Sequence, residues 1–157
     1  MQTELLAPEQ LLELVDAIWT SMLDLSVSPS NGGEYFVHEA TSLTAGVQIT
    51  GAWNGVVLLL PTEKFARRAA SAMLGQPEAE LDTVDVLDAV GELCNMIGGG
   101  IKSLLPGPST LSLPSITQGT QYSVRLPKTR VVARFQFTCE KQPLEIRVLE
   151  ACGFATE

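Results

Sequence analysis

The apolar residues of this chain keep two different rhythms, and the order in which the rhythms alternate limits the folds open to it. Over residues 8–25 they recur at steps of three and four (Leu11, Leu14, Val15, Ile18, Met22, Leu25), the mark of a helix with one buried face. After Asn31-Gly32-Gly33 the chain changes to short strand-like runs at 34–40, 44–53 and 56–60. Asn54-Gly55 between the last two is the dipeptide that favours a tight type I′ hairpin. A second helix follows over 64–74, with Thr62 as its cap, Gly75 as its stop and Pro77 just beyond. An acidic link over 78–85 leads into a third helix. Beyond Pro106-Gly107-Pro108 strand character returns at 115–117, 121–126, 131–137 and 144–149. Val131, Ala133, Phe135 and Phe137 alternate with Arg134, Gln136 and Thr138, which predicts one buried face there. The order helix, strands, helix, helix, strands predicts an α+β fold, with long helices on one face of a mainly antiparallel sheet. A faint twofold repeat, a long helix and then strands, runs through it.

At 157 residues the chain is expected to form a single domain, 1–157. Its formal net charge of −8 argues against nucleic acid as a partner. The densest basic group (Arg125, Lys128, Arg130, Arg134) straddles a turn expected at Pro127 and has no interleaved aromatic residues. No basic amphipathic helix suggests a membrane surface. The longest apolar run, 56–60, is far too short to span a bilayer. Met1-Gln2-Thr3-Glu4 lacks the positive start of a secretory signal. Cys94, Cys139 and Cys152 are odd in number and lack metal or redox spacing, so free thiols in a reducing, cytoplasmic setting are expected.

The third helix carries the features that could do chemistry. With about 100° per residue and Asp88 as zero, Leu87, Val90, Cys94, Ile97, Ile101 and Leu104 fall in an arc of about 100°. Asp88, Glu92 and Asn95 fall near about 0°, 40° and −20°, almost opposite. Lys102 lies near the same side. Such a stripe is either an ordinary solvated face or a presented set of groups; spacing alone leaves both open. Gly98-Gly99-Gly100 is equally double-edged. The helix could end at Ile97, or the glycines could let a neighbour approach closely. Ile101, Leu104 and Leu105 resume the apolar phase without a slip, which favours a continuous helix packed on a neighbour such as the first helix.

The stretch Asp88-Ala89-Val90-Gly91-Glu92-Leu93-Cys94-Asn95-Met96-Ile97-Gly98-Gly99-Gly100-Ile101-Lys102 resembles the signature helix of the CheX branch of the CheC/CheX/FliY phosphatases. That pattern is Asp or Ser, three residues, Glu, two residues, Asn, and a later Pro. Asp88, Glu92 and Asn95 match it in turn. Ile49-Thr50-Gly51 with Gly55-Val56-Val57-Leu58, Ala70-Ser71-Ala72-Met73-Leu74-Gly75 and Leu113-Pro114-Ser115-Ile116-Thr117-Gln118-Gly119 are similar to flanking family segments. Pro114 follows Asn95 more closely than in the family pattern.

The resemblance implies a CheC-like fold and hydrolysis of the phosphoaspartate on a CheY-like response-regulator receiver domain. It implies that Asn95 orients a water in line with phosphorus and that Glu92 engages the receiver's active-site lysine. Asp88 is left a supporting role, orienting Glu92 or touching the partner's rim. No cofactor or metal of the chain's own is implied; Mg²⁺ is expected in the receiver. A homodimer joined through sheet edges is the expected assembly. Glu9, Glu13 and Asp16 repeat the spacing on the first helix, but Asp16 stands where Asn is required, so that helix reads as non-catalytic. The alternative is a non-catalytic receiver-binding or structural module of a two-component or flagellar system. His38 reads as an ordinary strand residue, and Trp19 and Trp53 as core or dimer-contact residues.

Overall fold

The computed structural model describes residues 6–30, 43–119 and 126–152. The expected strand at 34–40, with His38, and most of that at 121–126, with Arg125, lie outside the described residues. Among the described residues three α-helices, α1 (Pro8–Leu23), α2 (Glu63–Leu74) and α3 (Thr83–Leu104), accompany seven strands. These are β1 (Ser28–Pro29), β2 (Leu43–Gly51), β3 (Gly55–Leu60), β4 (Ser109–Leu111), β5 (Ser115–Gln118), β6 (Thr129–Cys139) and β7 (Gln142–Ala151). The strands form one sheet in the order β1-β6-β7-β3-β2-β4, with β5 also on β2, and every described pairing is antiparallel. The α+β architecture expected from the alternating rhythms is the one observed.

The strand order is symmetric about the β3–β7 pair. Each half is a helix, a short strand or two, and a hairpin: α1, β1, β2–β3, then α3, β4 and β5, β6–β7. Each short strand pairs with the hairpin of the other half, β1 with β6 and β4 and β5 with β2. The faint repeat in sequence thus has a topological counterpart, with α2 inserted between the halves.

Odd-numbered residues of β2 (Leu43, Ala45, Val47, Ile49) and of β3 (Val57, Leu59) meet the even-numbered Leu144, Ile146 and Val148 of β7 in the main core. The two-residue period of a strand assigns them to one face. Trp19 of α1 is fully buried there, stacked on Phe65 of α2 at 5.8 Å and edge-on to Phe137 of β6 at 5.5 Å. Leu58, Leu60 and Leu149 form a smaller cluster on the opposite face.

Local signals account for most element ends. Thr62 Oγ1 accepts from Phe65 N at 3.0 Å to start α2, and Gly75 ends it at φ 66°. The acidic link proves to be partly helix. Asp82 and Asp85 cap α3 reciprocally, each carboxylate accepting from the other's amide at 2.8 and 3.1 Å. Carboxylates at a helix N-terminus also face its positive dipole end.

Three expectations need correction. Helix α1 stops at Leu23, because Asp24 turns left-handed at φ 55°. Asn54-Gly55 is not a type I′ tip: neither residue has positive φ, and Gly55 already pairs with Ile49 in β3. The turn closes instead through the Asn54 side chain, which exchanges 3.0 Å hydrogen bonds with the Gly51 backbone. A β-carbon on Gly55 would collide with the Trp53 ring and the Leu149 carbonyl, so the glycine serves packing. The tight hairpin lies at Glu140-Lys141, both at positive φ (49° and 68°), between paired Cys139 and Gln142. Finally, Val131 is 50% exposed, because a bulge between Val131 and Ala133 turns it off the face that Phe135 and Phe137 share.

Candidate functional site

Helix α3 runs unbroken through its three glycines to Leu104. Gly98 lies against Val47 of β2, and Gly100 lies against Leu14 of α1; a β-carbon at either would overlap those side chains. The close approach to the first helix is therefore present, at Gly100. Glycine in a helix interior costs about 1 kcal/mol relative to alanine. At these two positions the cost is offset by contact between elements that larger residues would hold apart.

The buried part of α3 is wider than its apolar spacing predicts. Val86, Ala89, Gly91, Leu93 and Gly98 are buried as well as Val90, Cys94, Ile97 and Ile101, so the covered arc reaches about 200° on the helical projection. The extra width arises because α1 and α2 cover one flank while β2 and the β4–β5 segment cover the other. Leu104, counted among the core residues from spacing, is 37% exposed; Leu105 is buried in its place as the chain leaves the helix.

The remaining narrow sector carries the polar stripe. Asp88 and Glu92 are exposed and Asn95 is half-buried. At i, i+3 and i+4 spacing their β-carbons are neighbours at roughly 5–6 Å. Neither Glu92 nor Asn95 has a side-chain hydrogen bond or ion pair among the described residues, and none joins Asp88 to Glu92. The structure thus brings the three to one outward face without consuming their hydrogen-bonding capacity. An amide so placed offers a donor and an acceptor at once, uncharged; a carboxylate beside it offers acceptors only.

Two other features border the stripe. Pro114 stands against α3 at Gly91, next in sequence to Glu92: a β-carbon on Gly91 would lie 3.5 Å from Pro114 Cγ and 3.1 Å from Ile116 Cδ1. The shorter spacing from Asn95 therefore still returns Pro114 to the stripe's edge, with Leu113 beside it 87% exposed. Lys102 is half-buried and donates from Nζ to the Ser109 carbonyl at 3.4 Å. Gly99, passed over in the side-chain count, falls at about 20° on the projection, within the stripe. A helical projection that includes glycines would have found it.

Glu9, Glu13 and Asp16 are likewise exposed on α1, in the matching element of the other half. Trp19 and Trp53 are core residues. Burial pushes the Cys94 thiol up to about 12. Among the described residues no group of three or more His, Cys, Asp or Glu could hold a metal ion. No described helix is long and apolar enough to cross a membrane.

Known proteins share this fold. The fold matches CheX from Vibrio vulnificus with a TM-score of 0.75, at 19% identity over 94% of this chain and 98% of that one. A CheC-like superfamily protein from Shewanella sp. PV-4 matches with a TM-score of 0.73, at 18% identity over 96% and 99%. The CheX of a CheX–CheY–BeF3–Mg²⁺ complex from Borrelia burgdorferi matches with 0.64, at 13% identity over 91% and 96%. The search of curated proteins found no match. The sequence model described as chemotaxis phosphatase CheX matches residues 43–138, a span holding the whole of α3 and its stripe. This chain belongs to the CheX family of chemotaxis phosphatases.

Proposed function

We propose that this chain hydrolyses the phosphoaspartate of a CheY-like response-regulator receiver domain, with Asn95 positioning the water and Glu92 fixing the docking register. The observation that carries this reading is the outward amide of Asn95, without a partner among the described residues, on a helix braced from three sides in a member of a phosphatase family. The relative solved with CheY, BeF3 and Mg²⁺ supports the choice of partner.

An aspartyl phosphate is an activated acyl phosphate, so little covalent chemistry is asked of the chain. Water adds to phosphorus, the bond to the aspartate oxygen breaks, and inorganic phosphate leaves. Placement and charge stabilisation supply the acceleration. The Asn95 carboxamide accepts a hydrogen bond from the water and can donate to a phosphoryl oxygen, without adding negative charge beside it. Glu92, exposed one turn earlier, pairs with the receiver's active-site lysine, and Asp88 supports it at the rim. The chain supplies no cofactor of its own; Mg²⁺ belongs to the receiver. A homodimer in the cytoplasm is the proposed working form, checked by light scattering and fractionation.

The test is phosphate loss from candidate phosphorylated receivers with and without the purified chain. Acceleration by the wild type, abolished in Asn95→Ala while association persists, is the expected result. Equal rates for the two proteins would remove Asn95 from its role. Tight binding without acceleration by the wild type would make the chain a receiver-binding module instead.

A further inference from the structure

The three consecutive glycines of α3 are not equivalent. Gly98 and Gly100 are explained within the chain by Val47 and Leu14, whereas a β-carbon on Gly99 would meet nothing within 4 Å. Gly99 is four residues beyond Asn95, its next neighbour on the outward stripe. Its two nearest companions on that sector are also drawn in: Ser103 Oγ donates to the Gly100 carbonyl at 2.7 Å, and Lys102 reaches back to the Ser109 carbonyl. The surface just past Asn95 is therefore bare backbone, in a helix interior where glycine is the poorest residue short of proline. No contact inside the described chain requires this.

We infer that Gly99 is a clearance residue, kept without a side chain so that the phosphorylated receiver can approach until the short Asn95 amide enters its active site. The inference rests on the reading of Asn95 above. Asparagine projects only two bonds beyond its β-carbon to its polar atoms. Glu92, the longer side chain on this face, is received by the partner's lysine; a side chain at position 99 has no such counterpart and would hold the partner off. Gly99 is a positioning residue: it touches no reacting atom, and its contribution is the distance it permits.

The predicted signature is a divergence between stability and activity. Gly99→Ala and Gly99→Leu both introduce better helix formers into open space, so the free chain should melt about 2–4 °C higher. Activity on a phosphorylated receiver should fall in order of size. We expect a drop in kcat/KM of several-fold for alanine and about 100-fold for leucine, the scale that misplacement by about 1 Å produces. Binding to a receiver loaded with Mg²⁺ and beryllofluoride should weaken in the same order, whereas Asn95→Ala should bind nearly as wild type. If wild type and Asn95→Ala differ as expected but Gly99→Leu keeps full kcat/KM, the clearance role alone is overturned. A lower melting temperature for Gly99→Ala would also overturn it, by showing that the site is used internally. If the wild type itself accelerates nothing, the phosphatase reading fails first and takes this inference with it.

Discussion

The Leu14 side chain of α1 occupies the space that a β-carbon on Gly100 of α3 would need. One turn face away, Val47 of β2 does the same to Gly98. The helix bearing the polar stripe is thus wedged between a helix and the sheet, which is what makes it a rigid support for Asn95.

These two wedges differ in how far they can give. Val47 is buried and β-branched, so its methyl has nowhere to turn. Leu14 is only half-buried, and its colliding atoms are the tip of a flexible side chain. Gly98→Ala should therefore destabilise the fold by about 1–2 kcal/mol net of the gain in helix propensity. Gly100→Ala should lie within about 1 kcal/mol of wild type. Urea unfolding with unchanged slope measures both, and a reversed order would show that β2 rather than α1 yields.

Glu92→Gln keeps the shape of the side chain and removes its charge. If Glu92 pairs with a receiver lysine, a charge-assisted bond worth about 1.5–3 kcal/mol is weakened, and KM should rise about tenfold or more with a smaller change in kcat. Thermal unfolding of the free chain should not move by more than about 0.5 kcal/mol, since Glu92 is exposed and has no partner among the described residues. Unaltered KM against several receivers would leave docking to other residues.

Helices were the most legible part of this chain because their signals are local. Thr62 and Gly75 sit within a residue of the α2 ends they determine, and the stripe of Asp88, Glu92 and Asn95 follows from helical geometry alone. The features that escaped are set by distant partners. Glu140-Lys141 carries no glycine or asparagine, yet takes positive φ because the long β6–β7 ladder brings Cys139 and Gln142 into register. The two-residue β1 and three-residue β4 are too short to show a period and exist only where β6 and β2 offer edges. Pro114 could be placed beside Gly91 only once β5 was paired on β2.

The cysteines should separate cleanly by reactivity. Cys94 is fully buried, its thiol pushed up to about 12 by burial and its Sγ 3.8 Å from the Val57 carbonyl. At pH 8 about one Cys94 in ten thousand is then thiolate. Burial, and next the charge of Glu140, also raises Cys139, whereas Cys152 is only half-buried. An aromatic disulfide reagent should titrate one thiol quickly in the native chain and the other two only on unfolding. Three fast thiols would mean that the core opens on the time scale of the assay.

Glu145 provides the clearest pH dependence. It lies on β7 with no exposed surface, on the sheet face away from Leu144 and Ile146. Arg134 donates to both of its oxygens at 3.0 and 3.1 Å, Gln136 donates at 3.0 Å, and Arg147 forms a further close ion pair. Burial pushes this carboxyl up, but the bonds from Arg134, Gln136 and Arg147 together outweigh it and hold it below the usual range. A carboxyl depressed on folding stabilises at neutral pH and loses that contribution as pH falls from the unfolded value, about 4.3, through the lower folded one. Glu145→Gln should accordingly destabilise by about 2–3 kcal/mol at pH 7, less than a fully buried pair because Arg134 is partly solvated. The gap to wild type should stay constant down to about pH 5 and close in stronger acid as the native carboxyl takes its proton. Denaturant unfolding of both proteins from pH 3 to pH 8 checks this, and a gap that persists undiminished at pH 3 would mean that packing of the amide, rather than charge, sets the difference.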